Sequence, residues 1–545
     1  MNSGQNPTTN VQSGSVSVLA QGALEVGEIN TAAAANGTLT TAQTLIQAGN
    51  ITLESKTGAV GAANLRAEAV AQTAPYAGTV QAQGGEIAIR AAMTATLGQI
   101  NSAVSTNNGR SNSARAGGVT VVGDAIATGN ITTSARVNSV LSSDSIAVGG
   151  RIQLTSAGDL KAGELNSGAS QIAGLRSQAT AGEVVITALG TALGNPGSVE
   201  IQQIDASAES QVALGNGSVS GGQISIVTAE SSVKTGNLSS QSRGLASGSL
   251  TARAGNISIR KTDAGSAQLV TGELDASVRL GAGGAGSQLD GGQVRVESGG
   301  GTVQVGAVKT SVQSEGAAAR AIAGSINLSA LSADDAVLEV SPVVEFSSLD
   351  ASASVRIPTT PGLVGDPVLL QPGAAQAGAI QVRSEGTIQG IGRVRDRTGQ
   401  PTGATIQAQQ ELNFASQALL TVNPDVLLEQ ISTALTQLSR ENLAQFFGST
   451  LGTGAAASDP AANTPAPEAA SSIALGELRD RPGQITLQHR GGTANWDFVV
   501  GQASSNGTLG SIRSGTSILS TGQFPVLPQG GVAIATPQRK FKLFQ

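Results

Sequence analysis

Short runs that alternate apolar and polar residues, each opened by glycine, recur along most of the chain. The stretch GGQVRVESGGGTVQVGAVKTSVQS, from Gly291 to Ser314, contains three such runs and no aromatic residue. Strict alternation is typical of a β-strand with one buried and one solvated face. Glycines between the runs supply the backbone freedom that sharp corners need. The pattern therefore predicts many short strands joined by tight turns.

The first repeated motif is Gly-x-[Val/Ile]-x-[Val/Ile/Leu]. As far as Gly324 its copies begin 32 to 40 residues apart, and the longest interval holds an additional copy at Gly197. A fixed period of this length is the signature of a solenoid or another repeat architecture. The copies begin at Gly14, Gly49, Gly85, Gly118, Gly150, Gly182, Gly222, Gly255, Gly292, Gly324, Gly378 and Gly483.

A second motif, such as GEIN or GELN, follows most copies of the first, usually 11 to 14 residues later. A variable stretch rich in Ala, Ser, Gln and Gly comes after it, as in Ser167–Ala181. Each unit therefore holds two or three strands and one variable segment. The second motif begins at Gly27, Gly98, Gly129, Gly163, Gly236, Gly272 and Gly306.

A unit of this size cannot bury its apolar face alone, whereas stacked units share one continuous core. We therefore predict an all-β fold: a right-handed parallel β-helix, or solenoid, of about twelve coils with about 32–37 residues per repeat. Valine and isoleucine at the buried positions suit a pleated surface. A short α-helical hairpin is expected to interrupt this fold near the C-terminus.

Composition agrees with a narrow, repetitive interior. Aromatic residues make up 2% of the chain and charged residues 12%, while glycine accounts for 72 of the 545 residues. Before residue 341 the only aromatic residue is Tyr76, and the only prolines are Pro7, Pro75 and Pro196. Proline would remove a hydrogen-bond donor from strands that pair on both sides. Small aliphatic side chains stack where rings would overfill a coil.

The composition changes at Ser341, because all eight phenylalanines and fourteen of the seventeen prolines lie from there onward. We expect the larger side chains Trp496, Phe498 and Phe524 to cap the open end of the solenoid. The predicted segments are 1–340, β-helix repeats; 341–422, further coils with Pro-rich excursions; 423–453, an α-helical hairpin; 454–472, an Ala/Pro-rich linker; and 473–545, C-terminal coils and a cap.

The segment Asn423–Gly452 has helical rather than strand periodicity. Asn423 is suited to cap a helix whose first position is Pro424. Ile431 and Leu435 fall on one apolar face of this helix. One interpretation is that the hairpin covers the side or edge of the solenoid and buries both residues. The other is that it forms an arm or groove that binds a partner.

Charge and chemistry exclude several classes of function. The formal net charge of −6 gives no basic footprint for nucleic acid, and the absence of cysteine excludes thiol and disulfide chemistry. The single histidine, His489, is interpreted as a solvated turn residue. GAGGAG at Gly281–Gly286 lacks the following helix of a dinucleotide site. We therefore predict no catalytic residue, no cofactor and no metal site.

Polysaccharide-degrading β-helices are the main enzymatic alternative. Such enzymes need grouped acidic residues and usually aromatic platforms for sugar rings. Asp334 and Asp335 are adjacent, so in a strand they would point to opposite faces. That arrangement is unsuited to a paired-carboxylate mechanism.

The repeats resemble the arrays of filamentous-haemagglutinin-like large exoproteins, especially those of filamentous cyanobacteria. GNITLESKTGAV, GNITTSARVNS and GNISIRKT carry this resemblance, as does the closing segment FVVGQASSNGTLGSI. It covers most of Gly14–Leu331 and roughly Gly483–Thr536. The resemblance implies a right-handed β-helix, two-partner secretion with an outer-membrane partner, and roles in attachment. The chain departs from the family because no secretion-recognition domain stands near its start.

These observations favour a non-enzymatic surface or secreted exoprotein, an adhesin or an elongated structural spacer, whose unknown receptor is a glycan or a cell-surface protein. The alternatives are a polysaccharide lyase or hydrolase, and a scaffold associated with a regulatory protease-like module. We expect an extracellular or cell-surface location, no nucleic-acid partner and no membrane-spanning segment. Because Gly14–Asn30 already carries both motifs of a full unit, we expect the chain to be an N-terminally incomplete fragment.

Overall fold

The fold was analysed in a computed structural model of the 545-residue chain. It describes residues 8–414 and 483–533, apart from short internal gaps. These gaps fall at 37–41, 140–141, 173–174, 191–196, 213–214, 230–231, 247, 263–266, 284–285, 317–319, 332–341, 358–373, 392–405, 409, 493, 502–504, 515–516, 520–521 and 525–531.

The described chain is an all-β parallel solenoid built from three sheets. Sheet 1 has thirteen strands, of which all but the last run parallel and come one from each coil. Its strands are Val16–Ala20, Ile51–Ser55, Ile87–Ala91, Val119–Gly123, Ile152–Ser156, Val184–Ala188, Ile224–Thr228, Ile257–Lys261, Val294–Ser298, Ile326–Ala330, Ile380–Ser384, Ile485–His489 and, antiparallel, Val532–Ala533.

Sheet 2 follows sheet 1 in each coil and contains the second motif. Its strands are Leu24–Val26, Ile29–Asn30, Val60–Arg66, Thr94–Asn101, Ala125–Thr128, Ile131–Thr132, Leu160–Asn166, Ser198–Asp205, Ser232–Thr235, Leu238–Ser239, Leu269–Val270, Leu274–Asp275, Val303–Lys309, Val343–Asp350, Thr387–Gly390, Ile406–Ala408, Phe498–Val500, Gly507–Thr508, Ile512–Ser514, Ser517–Leu519 and Gly522–Phe524.

Sheet 3 has twenty strands and contains the variable segments. Its strands are Thr8–Gln12, Ala33–Asn36, Gln43–Gln47, Ala69–Gln83, Val104–Arg115, Ala135–Asn138, Asp144–Val148, Ala169–Ile172, Arg176–Thr180, Ala208–Val212, Asn216–Ser220, Ser242–Ala246, Leu250–Arg253, Val278–Gly283, Gln288–Asp290, Val312–Gly316, Arg320–Ile322, Ala353–Ile357, Ala374–Gln376 and Gln410–Phe414.

Coils stack in register, so equivalent residues form columns along the solenoid. In sheet 1, Ile87 pairs with Ile51 of the preceding coil and with Val119 of the following coil. A residue in such a column meets the same type of neighbour above and below. This explains why the sequence repeats the same small aliphatic side chains every coil.

Each coil encloses two separate apolar cores. The larger core lies between sheets 1 and 2 and includes Ile89 and Ile100. The smaller core lies within sheet 3, between the outgoing and returning strands of the variable segment, and includes Ala35 and Ile46. The sequence predicted one narrow interior. The second core exists because the variable segment, for which we identified no strand motif, folds as a strand pair and forms a side arm.

A narrow neck joins the arm to the main body. At this neck a glycine just before a sheet 1 strand donates its amide to the carbonyl of the residue just after the preceding sheet 2 strand, for example Gly85 to Ala67 at 2.8 Å. The equivalent pairs are Gly49–Thr31, Gly117–Ser102, Gly150–Thr133, Gly182–Ser167, Gly222–Ala206, Gly255–Ser240, Gly292–Ala276, Gly324–Thr310 and Gly378–Ala351.

The neck glycines form a column that no larger residue can join. A Cβ built on Gly150 would lie 1.9 Å from the carbonyl oxygen of Gly117, and one on Gly182 would lie 1.9 Å from that of Gly150. Glycine is thus required by close approach of stacked backbones. The column contains Gly117 rather than Gly118, so the motif copy assigned to Gly118 lies one residue out of register.

Phe346 departs from the small-aliphatic pattern of the main core. Phe346 is buried, and its column partner in the next coil is Gly390. A Cβ on Gly390 would lie 3.1 Å from the Phe346 ring and 2.6 Å from the hydroxyl oxygen of Thr508. The absence of a side chain at Gly390 therefore leaves room for both neighbours.

The predicted all-β parallel solenoid is confirmed for the described chain. The helical hairpin at 423–453, with Ile431 and Leu435, and the linker at 454–472 lie outside the described residues. Asp334 and Asp335 also lie outside them. Gly281 lies in a strand of the arm, and the adjoining Gly286 has a left-handed φ of 84°, in agreement with a turn rather than a nucleotide loop.

Candidate functional site

The asparagine that often follows the motif glycine has a structural role at the coil corners. The side-chain oxygen of Asn50 accepts a hydrogen bond from the backbone amide of Glu86 in the next coil, at 2.9 Å. Asn256 does the same for Gln293, at 2.8 Å. This bond satisfies an amide where the strands have not yet begun to pair. The repeated Asn-x-Ser/Thr sequences are thus explained by stacking.

The Asn or Asp that ends the second motif turns the chain into the arm. The side-chain oxygen of Asn101 accepts from the backbone amide of Ala103 at 2.9 Å, and that of Asp275 accepts from the amide of Ser277 at 3.0 Å. These are Asx turns, in which the side chain replaces a backbone acceptor. Both recurring polar positions therefore belong to the architecture.

A column at the end of sheet 1 contains two buried ionisable side chains of the described chain, Lys261 and His489. Its members are the inward residues nearest the corner between sheets 1 and 2. The column includes Gly123, Ser156, Ala188, Thr228, Lys261, Ser298, Ala330, Ser384 and His489. Serine members donate to corner carbonyls, as Ser384 does to Pro342 at 2.9 Å. Lys261 reaches the carbonyl of Gly300 at 3.4 Å.

His489 is buried, which corrects its interpretation as a solvated turn residue. It ends the last parallel strand of sheet 1 and is 1% exposed. Its ring packs against Phe498 with centroids 5.8 Å apart. The side-chain amide of Asn506 donates to Nδ1 at 3.0 Å, so the neutral ring carries its proton on Nε2. Sequence reasoning missed this position because column membership is visible only after stacking.

Burial lowers the pKa of His489 below its ordinary value of about 6.5, because the charged ring would lose its solvation. The carboxylate of Asp497 acts in the opposite direction but is the smaller influence. A second cost of protonation is visible in the geometry: a proton on Nδ1 would face the donating amide of Asn506. The neutral ring is therefore part of the folded state.

Asn506 links this buried histidine to a surface cleft. Its side-chain oxygen accepts from the amide of Ile388 at 3.0 Å, and its amide also donates to the carbonyl of Trp496 at 2.8 Å. The cleft beside it has a volume of about 400 Å³. Its polar and aromatic lining consists of Asn495, Trp496, Asp497, Ser505, Asn506 and Gln523.

Trp496 only partly fits its predicted role as a cap. Phe498 is buried in the main core, but Trp496 is 50% exposed. The backbone of Phe524 pairs with Phe498 in an antiparallel strand. The structure thus places Phe498 in the main core and Trp496 at a surface cleft. The sequence signal that could have indicated this is the polar setting TANWD around the single tryptophan.

A turn with unusual backbone angles presents Trp496. Asn495 has a φ of 52°, and Gly491 and Gly492 have φ of 75° and 67°, all in the left-handed region. The amide of Trp496 donates to the carbonyl of Gly491 at 2.9 Å. Asparagine is one of the few residues besides glycine that tolerates this conformation. The tryptophan is therefore held by its backbone on both sides.

The described residues contain neither a metal-binding cluster nor a membrane-spanning helix. In that part of the chain no group of three or more His, Cys, Asp or Glu side chains is placed to hold a metal ion. Nor does any helix long and apolar enough to cross a membrane occur there. Comparisons with protein families, with curated proteins and with solved structures find no match for the chain.

Proposed function

We propose that the chain is a non-enzymatic surface or secreted exoprotein that acts as an adhesin or an elongated structural spacer. The observation that supports this most is the uninterrupted stack of twelve parallel strands in sheet 1, from Val16–Ala20 to Ile485–His489. At about 4.8 Å per strand the stack is on the order of 55 Å tall. Such a body lengthens by adding coils without needing a new core.

The resemblance of the repeats to filamentous-haemagglutinin-like exoproteins supports the same proposal. It favours export with an outer-membrane secretion partner and an extracellular or cell-surface location. Coils before the last also present side arms within the described residues, and the strands of these arms differ in length, as Ala69–Gln83 and Val104–Arg115 illustrate. A surface of many related arms is suited to repeated contacts with a glycan or a surface protein.

Attachment can be measured with the whole folded chain. Fluorescent beads coated with it should bind cell surfaces at least several-fold more than beads coated with the heat-unfolded chain. Antibodies against the arms should label intact producing cells. Equal retention of the two bead types, together with labelling that requires permeabilised cells, would contradict both the adhesive role and the surface location.

The enzymatic alternative is tested in parallel. The chain is incubated with a panel of acidic polysaccharides, and unsaturated and reducing ends are measured. The proposal expects no release above the level of the heat-unfolded control. Release that depends on the folded chain would replace the adhesin by a polysaccharide lyase or hydrolase.

A further inference from the structure

The cleft next to Trp496 has the size and the lining of a ligand site. Its volume of about 400 Å³ lies within the roughly 300–1,000 Å³ typical of small-molecule pockets. Its lining combines the half-exposed indole of Trp496 with Val499 and five polar residues. An aromatic surface in a mostly polar cleft is suited to a ligand that is apolar on one face and rich in hydroxyls at its edge.

Asp497 and Gln523 lie next to each other in the cleft, and each keeps an acceptor oxygen available for a ligand. The side-chain amide of Gln523 donates to Oδ2 of Asp497 at 2.6 Å. Within the described chain, Oδ1 of Asp497 and Oε1 of Gln523 make no further hydrogen bond. Two adjacent planar side chains with open acceptors match two neighbouring hydroxyl groups, each of which can donate a hydrogen bond.

The cleft is built before any ligand arrives. Asn506 is 3% exposed, and its side chain forms hydrogen bonds with three partners, including the carbonyl of Trp496. Gln389 holds Ser505 by donating to its carbonyl at 3.1 Å. The left-handed φ of Asn495 costs backbone energy that its surroundings must offset, and such residues concentrate at functional sites. A preformed site loses less entropy on binding.

We propose that this cleft binds a pyranose ring of a neutral glycan. The apolar face of the ring lies on the indole of Trp496, and two neighbouring hydroxyls donate to Asp497 and Gln523. The carboxylate of Asp497 selects against sugars that carry their own carboxylate, because like charges at short distance repel. The inference rests on the proposed adhesive function, for which it supplies the ligand class.

The single tryptophan of the chain makes binding directly observable. Titration with cellohexaose, mannohexaose or galactohexaose should change the intensity and shift the emission of Trp496 for at least one of the three. The corresponding uronic-acid hexamer should bind at least tenfold more weakly. No change with any neutral sugar, or equal binding of the acidic counterpart, would overturn the proposal.

Variants then locate the site by calorimetry with the sugar that binds. Trp496→Ala and Gln523→Ala should each weaken binding at least tenfold. Gln484→Ala, a change of an exposed glutamine that lies just before the last parallel strand of sheet 1 and outside the cleft, should leave binding unchanged. Melting curves verify that each variant is folded, which is expected because Trp496 and Gln523 are exposed. Unchanged affinity in a folded Trp496→Ala variant would place the sugar elsewhere.

The glycan inference and the adhesive function fail in different ways. If coated beads attach and Trp496→Ala beads attach equally, the chain is an adhesin but the cleft is not its glycan site. If the cleft binds sugar but beads do not attach, the inference stands and the adhesive function is wrong.

Discussion

Thr133 and Gly150 exchange two hydrogen bonds across the neck of one coil. The amide of Gly150 donates to the carbonyl of Thr133 at 2.7 Å, and the hydroxyl of Thr133 donates to the carbonyl of Gly150 at 2.7 Å. Thr133 is fully buried. The same hydroxyl bond recurs at Thr31, Ser102, Ser167, Ser240 and Thr310. The neck is thus the point at which each coil fixes the arm to the main body.

The first prediction concerns the neck hydroxyl. Thr133→Val keeps the shape of the side chain but removes the donor, which leaves the buried Gly150 carbonyl without this bond. We expect a loss of about 1–2 kcal/mol of unfolding free energy, measured by urea denaturation. Thr133→Ser should lose much less, because serine already makes this bond at Ser102 and Ser167. Equal effects of both changes would show that the hydroxyl is not the cause.

The second prediction concerns the glycine column. A methyl group on Gly150 would lie 1.9 Å from the Gly117 oxygen, which is backbone and cannot turn away. Gly150→Ala should therefore cost about 3 kcal/mol or more, at the upper end for overpacking. Gly14→Ala is the matched control, because a Cβ on Gly14 meets no atom within 4 Å. Similar melting temperatures for the two variants would contradict the role of close backbone approach.

The third prediction concerns the asparagine at the coil corner. Asn256→Ala removes the acceptor for the amide of Gln293 and should cost about 0.5–1.5 kcal/mol. Asn256→Asp keeps an acceptor oxygen and should stay close to the parent chain. The denaturant midpoints of the parent chain, Asn256→Ala and Asn256→Asp measure these differences in stability. A loss as large in Asn256→Asp as in Asn256→Ala would argue against the hydrogen bond.

The fourth prediction concerns pH. Because burial lowers the pKa of His489, the unfolded chain binds the proton more tightly than the folded chain. The stability from the neutral ring is therefore fully present above the unfolded pKa of about 6.5. It decreases as the pH falls from there through the lower folded pKa. Thermal melting of the parent chain should show this decrease.

His489→Gln is the control for the pH prediction, since glutamine does not titrate. The melting temperature of this variant should fall less than that of the parent chain between neutral and mildly acidic pH. A parallel pH dependence in both proteins would assign the effect to carboxylates rather than to His489. The single histidine of the sequence makes this comparison unambiguous.

The sequence by itself determined the architecture of the main body. Gly-x-Val-x-Val runs at a period near 33 residues leave stacked parallel strands as the arrangement that buries their apolar faces. The recurring Gly-Asn and Ile-Asn pairs were visible as patterns. Their structural roles could not be read from these patterns. Asn50 accepts a hydrogen bond from the next coil, which depends on the register of stacking, and Asn101 forms an Asx turn where the chain enters the arm.

Tertiary structure alone decided the side arm and the cleft. The variable segments lack a strong motif, yet they form strands because the coils above and below supply backbone partners; Val137 pairs with Thr106 in this way. Strand formation there follows from stacking rather than from local propensity. Asp497 and Gln523 are separated in sequence and meet only because Phe498 and Phe524 pair across an antiparallel ladder. Such contacts depend on pairing between strands that are distant in the sequence, which no local sequence pattern indicates.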